Sequence, residues 1–139
     1  MNKRTRIKKK QMRMKTKQLI KRYPFLAVKN WRTGKPYYDF TYLDDMPNGW
    51  RRAFGMQMCE EIRNALIKSN QLHTYHIAQI KEKFGGLRWY DYGAADEVYK
   101  IIDKYEKLSY HVCMLCGRPA EARDNYGWTM TICDKCAGI

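Results

Sequence analysis

Four of the five cysteines form two CxxC pairs, Cys113 with Cys116 and Cys133 with Cys136. Two thiolates at this spacing can bind the same metal ion, and two such pairs complete a tetrahedral coordination sphere. Between the pairs, a strand-like stretch, an Asn-Tyr-Gly turn and a second strand-like stretch are typical of a zinc ribbon. The pattern therefore predicts a structural Zn²⁺, with an iron–sulfur cluster or a redox dithiol as alternatives.

A metal ion held by four cysteines is unsuited to catalysis because no coordination position remains for water. Zinc-bound nucleases of the HNH class place a general-base histidine between their cysteine pairs, and none occurs from Gly117 to Ile132. We therefore expect the metal to stabilise the fold, and we expect a protein that is not an enzyme.

The net charge of +13 is concentrated at the start of the chain. Residues 1–38 carry fourteen Lys or Arg and no acid, whereas the remainder carries thirteen basic and fourteen acidic residues, a net charge of −1. Residues 1–22 hold eleven of these cations and few apolar side chains, which predicts a basic arm that is disordered or a marginal helix. Nucleic acid, either DNA or RNA, is the expected partner. The alternatives are anionic lipid, an acidic protein surface, or a tail that only keeps the protein in solution.

The predicted nucleic-acid-binding residues are the cations of the arm and three cations near a predicted hairpin. They are Lys3, Arg4, Arg6, Lys8, Lys9, Lys10, Arg13, Lys15, Lys17, Lys21, Arg22, Lys81, Lys83 and Arg88.

The middle of the chain supplies the elements that position these groups. Apolar residues at three- and four-residue steps predict a helix over 50–68, capped by Asp45 or Asn48, and a second helix from Asp96, which caps it. Alternating residues on either side of Gly85-Gly86 predict a hairpin between the helices. The fold class is therefore α+β, with a basic arm (1–22), a small helix–hairpin–helix core (23–110) and a zinc ribbon (111–139).

The segment 23–49 is rich in proline, glycine and aromatic residues and has no helical period. It predicts an extended, loop-rich stretch with one short strand over 37–42. Its aromatic rings are expected to pack in the core, with base stacking as the alternative. Cys59, which has no cysteine or histidine nearby in sequence, is expected to be a buried core residue.

Two sharper interpretations of the hairpin remain open. The turn amides together with Lys81, Lys83 and Arg88 could hold a phosphate, although glycines in a turn need no such explanation. Gln79 and Lys81 also form a weak match to a metal-dependent nuclease motif. Its candidate acids are Asp44, Asp45, Glu60 and Glu61.

Four segments together carry a resemblance: YPFLAVKNWRTGK, MPNGWRRAFGMQMCEEI, QIKEKFGGLRWYDYG and the CxxC pairs. Over 23–139 the chain resembles a family of small proteins found in phages, prophages and other bacterial mobile elements. The resemblance implies a mobile-element origin and a zinc ribbon, but no activity that transfers residue by residue. Small proteins of this origin often regulate transcription or inhibit host defence. An inhibitor of a CRISPR effector that binds the protein or its guide RNA is therefore an alternative function.

No run of eighteen apolar residues occurs, and the first residues lack the apolar segment of a secretion signal. The sequence thus predicts a cytoplasmic protein with no membrane contact. If it is encoded by a mobile element, as the resemblance implies, the cytoplasm is that of a bacterial host. The sequence leaves base preference, strandedness and oligomeric state open.

Overall fold

The computed structural model describes residues 2–139, which form α-helices and two separate two-stranded antiparallel sheets. The helices are α1 (Lys3–Arg22), α2 (Asn48–Trp50), α3 (Met56–Lys68), α4 (Asp96–Ser109) and α5 (Asp134–Ala137). The strands are β1 (Ile77–Lys83), β2 (Gly86–Asp91), β3 (Glu121–Asn125) and β4 (Trp128–Ile132). The predicted α+β class is confirmed.

The helix predicted over 50–68 begins at Asn48 and contains a change of pitch. After α2, a π-helical turn over Arg51–Gly55 leads directly into α3. Pro47 occupies the N-cap position and makes no side-chain capping bond. The prediction that Asp45 or Asn48 caps this helix was therefore wrong. Six of the seven residues of the expected apolar stripe are buried: Trp50, Phe54, Met58, Ile62, Ala65 and Leu66. The seventh, Ala53, is exposed.

In the first hairpin, β1 and β2 are joined by a turn one residue earlier than predicted. Gly86 pairs with Lys83 as a strand residue, and Phe84 and Gly85 form the turn with φ of 53° and 83°. Two residues with positive φ are characteristic of the type I′ turn that suits strand twist. A shift in register after Ile77 explains why both Ile77 and Ile80 are buried, which strict alternation would not allow.

The glycine in β2 is required by packing. A Cβ atom at Gly86 would lie 2.3 Å from the ring of Tyr110, which follows α4. Next to it, the amide of Leu87 donates a 2.9 Å hydrogen bond to the buried hydroxyl of Ser109, the last residue of α4. The turn of the hairpin is therefore held against the end of α4.

Helix α4 begins at Asp96, but Ala95 is its N-cap residue. Asp96 lies in the first turn, where a carboxylate stabilises the positive end of the helix without capping it. The helix packs against α3 and β2, and the ring of Tyr105 stacks on that of Phe54 with centroids 5.4 Å apart.

The strand predicted over 37–42 is absent from the described structure. An isolated bridge between Lys29 and Pro36 precedes residues 37–42, and a 3₁₀ turn over Tyr42–Asp45 begins at their end. Thr41 and Asp44 form a reciprocal capping box at the start of that turn, which fixes the local backbone in a helical rather than an extended form.

One hydrophobic core joins all parts of the chain beyond α1. It contains Trp50 and Ile62 from the first half and Cys113, Met114 and Ile132 from the cysteine-containing region. No helix within residues 2–139 is long and apolar enough to cross a membrane.

Candidate metal centre and basic helix

The four cysteines of the CxxC pairs lie together. All four Sγ atoms are within 4.8 Å of one another, and those of Cys116 and Cys133 are 3.6 Å apart. In the part of the chain that the structure describes, this is the one group of three or more His, Cys, Asp or Glu side chains placed to hold a metal ion. The predicted metal-binding group is thus confirmed.

Each cysteine pair lies in a tight turn that is followed by a glycine. The amide of Gly117 donates to the carbonyl of Cys113, and the amide of Ala137 donates to that of Cys133, both at 2.9 Å. Gly117 and Gly138 follow the two pairs with φ of 86° and 78°, a conformation that glycine adopts without strain. This shared geometry turns both sulfurs of each pair towards the other pair.

The electrostatics of the group favour a bound cation. Burial disfavours the Cys113 thiolate, but backbone hydrogen bonds from Cys133, Cys116 and Leu115 outweigh it and lower the pKa of this thiol to about 6. A hydrogen bond with the Cys133 sulfur raises the pKa of the Cys136 thiol to about 12, because this bond favours the protonated thiol. A cation between the four sulfurs would favour the thiolate form of all four, because thiols bind a metal ion in their deprotonated form.

The fifth cysteine and the nearest histidine lie outside the group. Cys59 is buried in α3, as predicted, and burial raises the pKa of its thiol to about 12. The Nδ1 atom of His111 lies 3.0 Å from both carboxylate oxygens of Glu121. The four cysteines alone can thus supply a complete tetrahedral ligand set.

The start of α2 lies directly against the first cysteine turn. The amide of Gly49 donates to the carbonyl of Met114 at 2.9 Å, and a Cβ atom at Gly49 would lie 2.0 Å from the carbonyl oxygen of Cys113. The indole of Trp50 donates a 2.7 Å hydrogen bond to the carbonyl of Val112. Ordering the cysteine turn therefore also orders the start of this helix. Nothing in the local sequence around Gly49 signals this contact, since its partner lies more than sixty residues away.

The predicted basic arm forms helix α1. Its N-cap is Asn2, whose side chain accepts a 2.9 Å hydrogen bond from the amide of Thr5, and no acidic residue lies in its first turn. All eleven predicted cations of the arm lie in this helix, which ends at Arg22. Residues 3–12 are all exposed. The N-terminal half of α1 thus presents its charges to solvent.

The C-terminal end of α1 is fixed to α3. The guanidinium of Arg22 donates two hydrogen bonds to the carboxylate of Glu60, at 2.5 and 3.1 Å, and the hydroxyl of Tyr23 donates a third at 2.6 Å. Arg63 in turn donates to the carbonyl of Arg22 at 3.0 Å. These contacts set the direction in which the helix leaves the core.

Six cations of α1 recur at three- and four-residue steps, so they lie along one face of the helix. They are Lys3, Arg6, Lys10, Arg13, Lys17 and Lys21. We call them the cationic stripe. Its middle lines a cleft against the segment that follows residue 36, where Arg13 pairs with Asp39 at 3.6 Å and Lys17 lies over the ring of Tyr38. The number of cations in residues 1–22 does not indicate that six of them share one face of a helix. The three- and four-residue steps between these six do indicate it.

Polar groups of the hairpin that carries the other predicted cations have partners of their own. Arg88 donates to the hydroxyl of Tyr110 and to the carbonyl of Leu87, both at 3.0 Å. The turn amide of Gly85 donates to the carboxylate of Glu82 at 2.7 Å. Lys81 is half-buried and Lys83 is exposed. The turn amide that could hold a phosphate is therefore occupied by a carboxylate of the same hairpin.

Three of the four candidate acids of the nuclease interpretation have other partners in the fold. Asp44 binds Arg51 at 2.9 Å, Glu60 binds Arg22, and Glu61 binds Lys104 at 2.5 Å. Within residues 2–139 these acids form no metal-binding cluster beside Gln79 and Lys81.

Comparison of the chain with protein-family models, with curated proteins and with solved structures gives no match in any of the three. The resemblance to proteins of mobile elements therefore stays a prediction.

Proposed function

We propose that the protein binds nucleic acid through α1, while a structural Zn²⁺ at the four cysteines stabilises the core that carries this helix. The observation that supports it most strongly is the charge of α1, eleven cations and no acid on twenty residues. Of these cations, only Arg13 and Arg22 form ion pairs among residues 2–139. The nine others are available to phosphates.

Helix α1 is an unfavourable structure without an anion. Lys3 and Arg4 lie at its N-terminal end, where the helix dipole is already positive. Pairs such as Arg6 with Lys10 place like charges four residues apart, which also destabilises a helix. A polyanion along the cationic stripe removes both effects, so binding and helix stability should increase together.

The anchor at Arg22 and Glu60 gives the helix a defined orientation. Because the C-terminal end is fixed and residues 3–12 are exposed, the charged half extends away from residues 23–139, whose sixteen basic and fourteen acidic residues give a net charge of only +2. A chain of phosphates can therefore approach α1 without meeting a concentration of carboxylates.

The cysteine group supports zinc by its ligand set and its dimensions. Four thiolates are a common set in structural zinc sites, and a Zn–S distance of about 2.3 Å places tetrahedral sulfurs about 3.8 Å apart. The Sγ atoms of Cys116 and Cys133 are 3.6 Å apart. Zinc would neutralise the thiolate charge and hold the turn against which Gly49 packs.

The test measures the affinity of the full chain for a labelled 20-nucleotide DNA or RNA by fluorescence anisotropy at several salt concentrations. If six cations contact phosphates, log affinity should fall with log salt at a slope of about −4 to −5. Replacing Lys3, Arg6 and Lys10 by Gln should weaken binding at least tenfold and make this slope shallower by about 2 to 3.

A matched control removes the same charge from exposed residues elsewhere: Arg52, Lys68 and Lys100, each changed to Gln. This variant should keep nearly full affinity and an unchanged slope. Equal losses in the two variants would assign binding to net charge alone. If the protein binds an assembled nucleoprotein effector but no free DNA or RNA, the alternative function as an inhibitor of a CRISPR effector would be favoured.

A further inference from the structure

The exposed loop that follows a 3₁₀ turn over Pro24–Leu26 carries a tryptophan that the core does not use. Of the four tryptophans, Trp50 and Trp89 are buried, whereas Trp31 is 85% exposed. Removing an indole from water is favourable in free energy, and packing it against a flat apolar partner would provide this stabilisation. We propose that Trp31 stacks on a base and that the nucleic acid bound beside α1 is single-stranded. This inference rests on the proposed function of α1.

The turn that carries Trp31 is rigidly built. The carbonyl of Asn30 accepts a 2.8 Å hydrogen bond from the amide of Gly34, and the amide of Asn30 donates a 2.9 Å hydrogen bond to the carbonyl of Lys35. The side-chain oxygen of Asn30 also accepts the amide of Arg32 at 2.8 Å. The indole is thus presented on a preorganised turn, so stacking on it loses little conformational entropy.

The charge around Trp31 suits a polyanion. Lys29, Arg32 and Lys35 lie on this turn, and the first carboxylate of the chain is Asp39. The guanidinium of Arg32 lies 4.9 Å from the indole centroid, a cation–π contact that leaves the opposite face of the ring for a base. Phosphates on either side of a stacked base would meet cations of the same turn.

A chain of contacts connects this turn to α1. The side-chain amide of Asn30 donates to the hydroxyl of Tyr37 at 3.0 Å, and the ring of Tyr37 stacks on that of Phe40 with centroids 5.2 Å apart. Between these two rings in the chain, Tyr38 and Asp39 contact Lys17 and Arg13 of the cationic stripe. Tyr37 and Phe40 are themselves partly exposed. Exposed rings therefore continue the surface formed by the cations of α1.

Exposed rings beside a track of cations favour a single strand over a duplex. Bases in a duplex are stacked on one another, and inserting a side chain between them costs a few kcal/mol per step. A single strand offers its base faces freely, and proteins that bind it combine a cationic groove with aromatic stacking platforms.

A second surface with an exposed tryptophan, at the β3–β4 turn, lacks this charge. Trp128 is 75% exposed at the β3–β4 turn, but Glu121 and Asp124 are exposed on β3, and Arg123 is paired with Asp134 at 2.7 Å. Phosphates would meet carboxylates there. Trp128 therefore provides a matched control for Trp31.

The experiment compares the full chain with its Trp31→Ala, Trp31→Phe and Trp128→Ala variants. The probes are a labelled 20-nucleotide single strand of mixed sequence and the duplex formed with its complement, at one salt concentration. The wild type should bind the single strand at least tenfold more tightly than the duplex. Trp31→Ala should remove about tenfold of the single-strand affinity and leave duplex affinity unchanged, whereas Trp31→Phe and Trp128→Ala should stay within about threefold of wild type.

Because Trp31 is exposed, its variants should melt at the wild-type temperature, which the same samples can check. Equal affinity for both probes, or a Trp31→Ala variant that binds like wild type, overturns the single-strand inference and leaves the function of α1 standing. Failure to bind either probe overturns both proposals.

Discussion

The hydroxyl of Thr131 donates a 2.6 Å hydrogen bond to the carbonyl of Gly85, which lies 46 residues earlier in the chain. This bond joins the turn of the first hairpin to β4, the second strand of the cysteine-containing region. A Cβ atom at Gly85 would lie 3.1 Å from the Thr131 hydroxyl oxygen, so the two segments pack closely. The two hairpins are therefore coupled through a buried polar contact, and loss of either should weaken the other.

Replacing Thr131 by Val should destabilise the protein by about 1–3 kcal/mol, because the buried carbonyl of Gly85 loses its partner while the shape of the side chain is kept. Urea unfolding followed by circular dichroism measures this free energy. Thr129→Val, at an exposed position on the same strand, is the control and should change stability by less than about 0.5 kcal/mol. Similar losses in both variants would show that the bond to Gly85 contributes little.

Replacing Gly49 by Ala should destabilise the protein by about 3 kcal/mol or more, because the added methyl group meets the carbonyl oxygen of Cys113 at 2.0 Å. Gly55→Ala in the same continuous helix meets only ordinary contacts from 3.4 Å and should be neutral or stabilising by up to about 1 kcal/mol. Thermal melting of the two variants gives the comparison. A stable Gly49→Ala protein would contradict the close packing of α2 on the cysteine turn.

Loss of the metal should unfold more than the cysteine-containing region. We expect Cys116→Ser, or treatment with a strong chelator, to lower the melting temperature and to change the fluorescence of Trp50, whose indole binds Val112. Elemental analysis should find one zinc per chain in the wild type. Cys59→Ala is the control, since it should keep the metal even if its buried position lowers stability. Melting unchanged by chelation would contradict a stabilising role.

The anchor between Arg22 and Glu60 should make stability depend on pH in acid. Hydrogen bonds from Arg22, then from Tyr23, lower the pKa of Glu60 below its usual value. A carboxylate with a lowered folded-state pKa stabilises the fold above its unfolded pKa of about 4.3, and this contribution is lost as the pH falls through the folded pKa. The difference in urea midpoint between wild type and Glu60→Gln should thus be largest near pH 7 and shrink below about pH 4. A difference that grows in acid would contradict this assignment.

Local patterns predicted those features that depend on short sequence separations. Each CxxC pair and the short hairpin between the pairs are local, which is why the metal-binding group could be predicted by spacing alone. Likewise, the three- and four-residue steps from Trp50 to Leu66 were sufficient to predict a buried helical stripe, because helical side chains repeat at that interval.

Features set by distant partners could not be predicted in this way. The orientation of α1 depends on Glu60, 38 residues beyond Arg22, and the smallness of Gly49 is required by Cys113. The prediction of a strand over 37–42 was wrong. Thr41 and Asp44 cap a 3₁₀ turn, and this side-chain interaction outweighs the preference of aromatic residues for strands.

The separation of charge between α1 and the rest of the chain gives the molecule a large electric dipole moment. One end carries eleven cations, whereas residues 39–139 together have a net charge of −1. The electric field of a polyanion exerts a torque on such a molecule and orients α1 towards the polyanion before contact. A larger fraction of encounters therefore leads to binding than random orientation would give. The protein's association should therefore be fast in dilute salt, and added salt should slow it, since ions within about 10 Å at 0.1 M screen that field.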